Sequence, residues 1–135
     1  MKHLITISFA LAIMFGSINL QAQTSKKRNT VSSKIEVYYF HFTRRCHTCE
    51  TIESETKKDV EILYPDQIKK GSTTFQAINL DDESSKKLAE RLKVSGQSLL
   101  IVKGTKQVDL TDKAFMYATT NPEKLKAEIQ KAIDN

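Results

Sequence analysis

The sequence is poor in cysteine, with two among its 135 residues. A second pair, as in a zinc ribbon, is lacking, and Glu50 rather than a histidine follows Cys49, which excludes covalent haem attachment. The sequence also lacks internal repeats and low-complexity tracts. At this length we therefore expect one folded domain.

No apolar run in the sequence is long enough to make a membrane-spanning helix the favoured interpretation. The run over residues 4–18 has about fifteen residues, whereas a spanning helix needs roughly 20. It follows a short basic start and precedes Ala22, a small residue suited to signal peptidase. We interpret residues 1–22 as a Sec signal peptide and expect a periplasmic or secreted protein. Gln23 rather than cysteine follows the expected cut, which excludes a lipoprotein anchor.

The charge of the chain is modestly basic, with a formal net charge of +5 that falls by one when Lys2 leaves with the signal peptide. Several basic residues lie in the polar stretch 23–33, which predicts a disordered linker before a domain over residues 34–135. The sequence has no basic groove with interleaved aromatics, so nucleic acid is not an expected partner. We expect a monomer.

The pattern of apolar residues predicts the element order βαβαββα. Residues 35–42 form a near-continuous apolar run, as in a central strand covered on both faces. Further strands are predicted over residues 73–80, 98–103 and 106–110. Helices are predicted from Cys49 to just before Pro65, after a cap at Asp81 or Asp82, and from Asn121 onward. Residues 111–120 are predicted to form a long link between the last strand and the last helix.

The two cysteines lie where the first strand is predicted to give way to the first helix. Backbone N–H groups and the dipole at a helix N-terminus favour a thiolate on the first cysteine, Cys46. Cys49, one turn later, can close a disulfide and release a trapped partner. A purely structural bridge would close a very small loop and would stabilise the fold least. The motif therefore predicts redox chemistry.

Two other functions remain open from the residues alone. Cys46, His47 and Cys49, with His41 as a further candidate, would suit Cu(I) or Zn²⁺ in a metal-binding protein or metallochaperone. Alternatively, the chain is a non-catalytic binding module whose disulfide is incidental and whose surface feature is the segment 115–117. Aromatic residues in such a segment are more often packed in a core.

The element order, with Cys-His-Thr-Cys at the first strand-to-helix junction, resembles the thioredoxin superfamily over residues 35–134. The segment Asn79-Leu80-Asp81 also resembles the strand end of that family. The resemblance implies an α/β fold with a four-stranded mixed sheet flanked by helices. It implies a thiol:disulfide oxidoreductase with no cofactor, acting on cysteines of other proteins. By this resemblance, Cys46 is the attacking thiol and Cys49 the resolving one.

The sequence departs from the family pattern at several positions near the dithiol. The family's cis-proline falls on Gln97 or Ser98, so we expect a trans peptide in the loop facing the dithiol. The family's buried aspartate falls near Phe40 and its lysine partner near Ala77. Cys49 therefore needs a different route for its proton, for which His41, Glu50 or water are candidates.

Charged side chains near the motif are expected to tune its redox potential. Arg44, Arg45 and His47 favour the Cys46 thiolate, whereas Glu50 and Glu53 oppose it. Dominant cations would stabilise the dithiol and make the protein an oxidant. The sequence leaves the direction open, and with it the membrane electron-transfer protein or oxidising partner that would set the redox state.

Overall fold

The computed structural model describes residues 33–135. The predicted signal peptide (residues 1–22) lies outside the described residues, as does the predicted linker (residues 23–33) except for its last residue. Within the described part, no helix combines the length and the apolar character needed to cross a membrane.

Nine helices and strands of at least four residues follow one another in the described residues. They are β1 Ile35–His41, α1 His47–Leu63, α2 Pro65–Lys69, β2 Thr73–Asn79, α3 Lys86–Arg91, β3 Ser98–Lys103, β4 Lys106–Asp109, α4 Thr111–Tyr117 and α5 Pro122–Asp134. A single 3₁₀ turn, Glu83–Ser85, leads into α3. Tyr64 leaves the helical region, with φ −131° and ψ 47°, and Pro65 then starts α2. The prediction that the first helix ends before Pro65 is therefore confirmed.

The four strands form one mixed sheet in the order β2-β1-β3-β4. β1 runs parallel to β2 and antiparallel to β3, and β3 runs antiparallel to β4. The predicted fold class, an α/β domain with a four-stranded mixed sheet flanked by helices, is confirmed. Because β1 is a central strand, the loop that connects its carboxyl end to α1 lies near the middle of the sheet and not beside an edge strand.

Both faces of β1 are buried, which explains its continuous apolar sequence. Val37 and Tyr39 point to the face covered by α1 and α5, where they pack with Ile52 and Ile129. The alternate side chains of the strand pack on the other face. These are Tyr38 and Phe40, in a cluster with Ala89, Leu92, Leu100 and Val102.

The predicted link over residues 111–120 is instead largely helix α4. The Thr111 N–H donates to Asp109 Oδ1 at 2.8 Å, and the Thr111 hydroxyl accepts from the Leu99 N–H at 3.1 Å, which fixes the start of the helix on the end of the sheet. Its buried residue is Ala114, whereas Phe115 and Met116 are 38% and 55% exposed. The interpretation of these two side chains as core residues is therefore wrong.

Candidate functional site

Cys46 caps the N-terminus of α1. Its backbone is extended, with φ −89° and ψ 165°, and its sulfur accepts a hydrogen bond from the Cys49 N–H at 3.4 Å. The residue is exposed, and both cysteines are free thiols. The sulfur of Cys46 thus faces solvent at the point where the unpaired N–H groups of the helix converge.

Hydrogen bonds around Cys46 favour its negatively charged form. The Cys49 side chain makes the largest contribution to lowering the pKa of Cys46, followed by the backbone N–H of Cys49 and then by backbone groups of Cys46 and Thr48. Donors that stabilise a thiolate increase the fraction of the nucleophile at neutral pH.

Cys49 is buried beneath Cys46, with 2% of its surface exposed. Its thiol donates to Gln97 Oε1 at 3.3 Å, so Gln97 lies against the dithiol. Ser98, the other residue expected to face the dithiol, turns its hydroxyl to the Gly96 carbonyl of its own loop, at 3.0 Å. Residues 33–135 contain no cis peptide bond. The arrangement is an exposed thiol with a buried one behind it, the latter held by an amide.

Arg45, the basic residue that directly precedes Cys46, is already paired. Arg45 forms an ion pair with Glu53 on α1, and about 27% and 29% of the two side chains are exposed. Arg44 and His47 are exposed. The positive charge of Arg45, expected to favour the Cys46 thiolate, is therefore partly neutralised by a carboxylate eight residues later in the chain.

Asp81 positions the loop that leads from β1 to the cysteines. Its Oδ2 accepts from the Thr43 N–H at 2.8 Å. This hydrogen bond from the backbone is the largest cause that lowers the pKa of Asp81. Asn79 Nδ2 donates to the Thr43 hydroxyl at 3.0 Å. Of the two predicted capping residues, Asp82 occupies the N-cap position of the 3₁₀ turn, but its side chain makes no capping hydrogen bond, and Asp81 does not cap a helix. The sequence marked Asn79 and Asp81 as a motif but gave no indication of their partner.

Tyr39, and not Phe40, lies on the face of the sheet that α1 covers. Phe40 packs on the opposite face of the sheet with Ala89. Tyr39 is fully buried on the α1 face in the same cluster as Ile52, which follows Cys49 by one helical turn. The Tyr39 phenol is influenced electrostatically by Cys49. A hydroxyl therefore lies near the resolving thiol, where the sequence predicts an apolar residue.

Three further residues bear on proton or metal chemistry, namely Ala77, His41 and His47. Ala77 is exposed on the edge strand β2. His41 is buried, and its Nδ1–H donates to the Phe42 carbonyl at 2.9 Å. Across residues 33–135, no three His, Cys, Asp or Glu side chains are grouped in a way that could hold a metal ion. The cysteines and His47 therefore do not form a three-ligand site in this structure.

Comparison with solved structures finds similarity at low identity. No family model matches the chain. No curated protein matches it either. The germline-specific thioredoxin Deadhead of Drosophila melanogaster is 22% identical, with a TM-score of 0.47 over 73% of this chain and 81% of that one. Thioredoxin of Trypanosoma brucei brucei is 18% identical, with a TM-score of 0.46 over 77% and 80%. A malarial protein is 17% identical, with a TM-score of 0.47 over 73% and 97%.

Proposed function

We propose that the protein is an exported thiol:disulfide oxidoreductase whose Cys46–Cys49 pair exchanges with cysteines of other proteins. The observation that carries the proposal is the placement of the pair. Cys46 is exposed at the N-terminus of α1, with its pKa lowered by hydrogen bonds, and Cys49 is buried one turn later. An attacking thiolate needs access, whereas a resolving thiol needs only to reach the first sulfur.

In the reductive direction, the Cys46 thiolate attacks one sulfur of a partner disulfide. A bond forms between Cys46 and that sulfur, and the partner's other sulfur leaves with the electron pair of the broken bond. Cys49 then attacks the sulfur of Cys46 and forms the intramolecular disulfide. The bond between Cys46 and the partner breaks, and the partner leaves with both of its sulfurs reduced. The oxidative direction is the same sequence reversed. No metal or organic cofactor enters either direction.

The same placement leaves Cys46 accessible to a protein substrate. Only Cys46 of the pair is exposed, and it lies on an open surface, flanked by the exposed residues Arg45 and His47. A partner's cysteine must therefore approach from outside. For an exported protein, a membrane electron-transfer protein or an oxidising partner would have to restore the redox state, and residues 1–22 would provide the export signal.

The redox potential of the Cys46–Cys49 pair tests the proposal. Purified protein is equilibrated against glutathione or dithiothreitol with metal chelated, and the fraction of disulfide is measured. We expect a reversible couple between about −120 and −270 mV, the range of known exchange proteins, and its position within that range gives the preferred direction. A potential below roughly −300 mV would identify a structural bridge and contradict the proposed activity.

Export is tested separately by N-terminal sequencing of the protein recovered from its producing cell. A chain that begins near Gln23 and lies outside the cytoplasm supports the signal peptide. A chain that retains residues 1–22 in the cytoplasm contradicts export and leaves the exchange chemistry to be judged by its potential.

A further inference from the structure

The hydroxyl of Tyr39 is a buried polar group that the exchange mechanism has not used. Tyr39 is 0% exposed, and within the described residues its hydroxyl has no hydrogen-bond partner. A hydroxyl buried without a partner destabilises a fold, whereas phenylalanine would fill the same space without this penalty. Such a group in a native core calls for a physical reason.

The position of Tyr39 connects its hydroxyl to the dithiol. Across the antiparallel pair β1–β3, Tyr39 lies opposite Leu99, two residues beyond Gln97. On the helix side it packs in the same cluster as Ile52, one turn after Cys49. The phenol therefore lies between the loop that carries Gln97 and the turn that carries Cys49. After burial, the side chain with the largest effect on it is Cys49.

The charge state of Cys49 decides how good an acceptor it offers to this hydroxyl. A thiol has one hydrogen, and in the dithiol that of Cys49 is shared between Gln97 Oε1, 3.3 Å from the sulfur, and Cys46. As a neutral thiol, the sulfur is only a weak acceptor for the Tyr39 hydroxyl. A negatively charged sulfur is a much stronger acceptor, and hydrogen bonds to ionised groups are roughly twice as strong as neutral ones.

From this geometry we infer that the Tyr39 hydroxyl is a hydrogen-bond donor to the negative charge that develops on the Cys49 sulfur during resolution of the mixed disulfide. The inference rests on the proposed exchange activity and assigns a role within it. In this step the Cys49 sulfur attacks Cys46, the Cys46–Cys49 bond forms, and the bond from Cys46 to the partner sulfur breaks. The partner sulfur leaves with the electron pair and takes up the proton lost by Cys49. The protein is oxidised, the partner is reduced, and Tyr39 keeps its own proton.

Two properties of Tyr39 suit it to donate without transferring its proton. Burial raises the pKa of Tyr39 well above its ordinary value, so the phenol stays neutral at physiological pH. The ring is also fixed between α1 and β3, so the donor does not have to be ordered at the moment of reaction.

The test is Tyr39→Phe, with Tyr38→Phe as the matched control. Tyr38 is the adjacent residue of β1, is 3% exposed and faces the opposite side of the sheet, so the same hydroxyl is removed away from the dithiol. Both changes are made in the whole chain carrying Cys46→Ser, where Cys49 is the only thiol. The rate of iodoacetamide alkylation is measured from pH 6 to pH 11, and urea unfolding is measured in parallel.

We expect Tyr39→Phe to move the alkylation profile of Cys49 to higher pH by about one unit, which makes alkylation about tenfold slower at neutral pH. The profile of the Tyr38→Phe control should stay unchanged. Stability of the Tyr39→Phe variant should equal or exceed that of its parent, because no hydrogen bond is lost. A profile that does not move, whatever the stability, overturns the inference.

The outcome is independent of the test of the proposed function, because alkylation of Cys49 needs no partner and no disulfide. If the wild-type couple lies in the exchange range while the Tyr39→Phe profile is unchanged, the activity stands and the role of Tyr39 is refuted. If the couple is that of a structural bridge, the exchange activity fails, and a role for Tyr39 in resolution fails with it.

Discussion

Replacing Asp59 by asparagine should stabilise the protein at neutral pH. Asp59 lies on the buried face of α1 and is 3% exposed, and in the described part of the chain its Oδ2 has no hydrogen-bond partner. Burial raises the pKa of Asp59 to about 6, against a smaller lowering by Lys126 of α5. The ionised carboxylate is therefore poorly compensated in the folded state.

The size of the effect follows from proton linkage. The folded chain holds a proton on Asp59 up to about pH 6, whereas the unfolded chain releases it near pH 3.8. Between these values the folded state binds more protons, so the free energy of unfolding falls as the pH rises. The difference of roughly two pKa units corresponds to a loss of about 3 kcal/mol by pH 7. Below pH 3.8 both states are protonated and the loss disappears.

The assay is urea unfolding followed by circular dichroism at pH 4 and pH 7. The asparagine variant keeps the shape of the side chain and cannot ionise, so its gain over wild type should be up to about 3 kcal/mol at pH 7 and only about 0.5 kcal/mol at pH 4. Glu61→Gln removes an exposed carboxylate of the same helix and should change stability by less than about 0.5 kcal/mol at either pH. A gain for Asp59→Asn that is absent at pH 7, or equal at both pH values, would refute the reasoning.

Three further predictions concern the dithiol and its loop. Cys49→Ser should leave Cys46 trapped in mixed disulfides, visible on non-reducing gels, and Cys46→Ser should trap none; the opposite pattern would exchange the assigned roles. Glu53→Gln frees the cation of its partner Arg45, stabilises the reduced form and should raise the redox potential by at most about 20 mV, while a fall would contradict the sign. Asp81→Ala should speed hydrogen exchange at the Thr43 amide, whose N–H donates to Asp81 at 2.8 Å. Protection that persists in this variant would show that the bond does not hold the loop.

The four strands, the three helices α1, α3 and α5, and the place of the cysteines could be predicted because they depend on local patterns. The alternation and helical spacing of apolar residues are properties of neighbouring positions. Pro65 and Pro122 also fix helix boundaries through their own chemistry, and both stand at the first position of a helix. The structure confirms these features because tertiary packing does not oppose them.

The features that could not be predicted depend on distant parts of the chain. β1 is buried on both faces, so its sequence has no alternation to show that Tyr39 rather than Phe40 faces the cysteines. The short helix α4 gains its stability from packing on α1 and α5, which its own sequence does not reveal. Asp81 has suitable chemistry both for a helix cap and for an amide in a loop 38 residues away, and only the fold decides between them.

The surroundings of Cys49 constrain how its proton can leave. Of the described side chains, the thiol of Cys49 donates to the amide of Gln97, and the phenol of Tyr39 interacts with Cys49 electrostatically. An amide does not take up a proton near neutral pH, and a phenol whose pKa is raised by burial remains protonated, so neither can act as a base. The proton must therefore leave on the side of Cys46, where the departing thiolate of the partner is exposed to solvent and is basic enough to accept it. The rate of resolution should accordingly rise with pH as the thiols themselves ionise. Its pH profile should show no second inflection from a buried carboxylate at the dithiol.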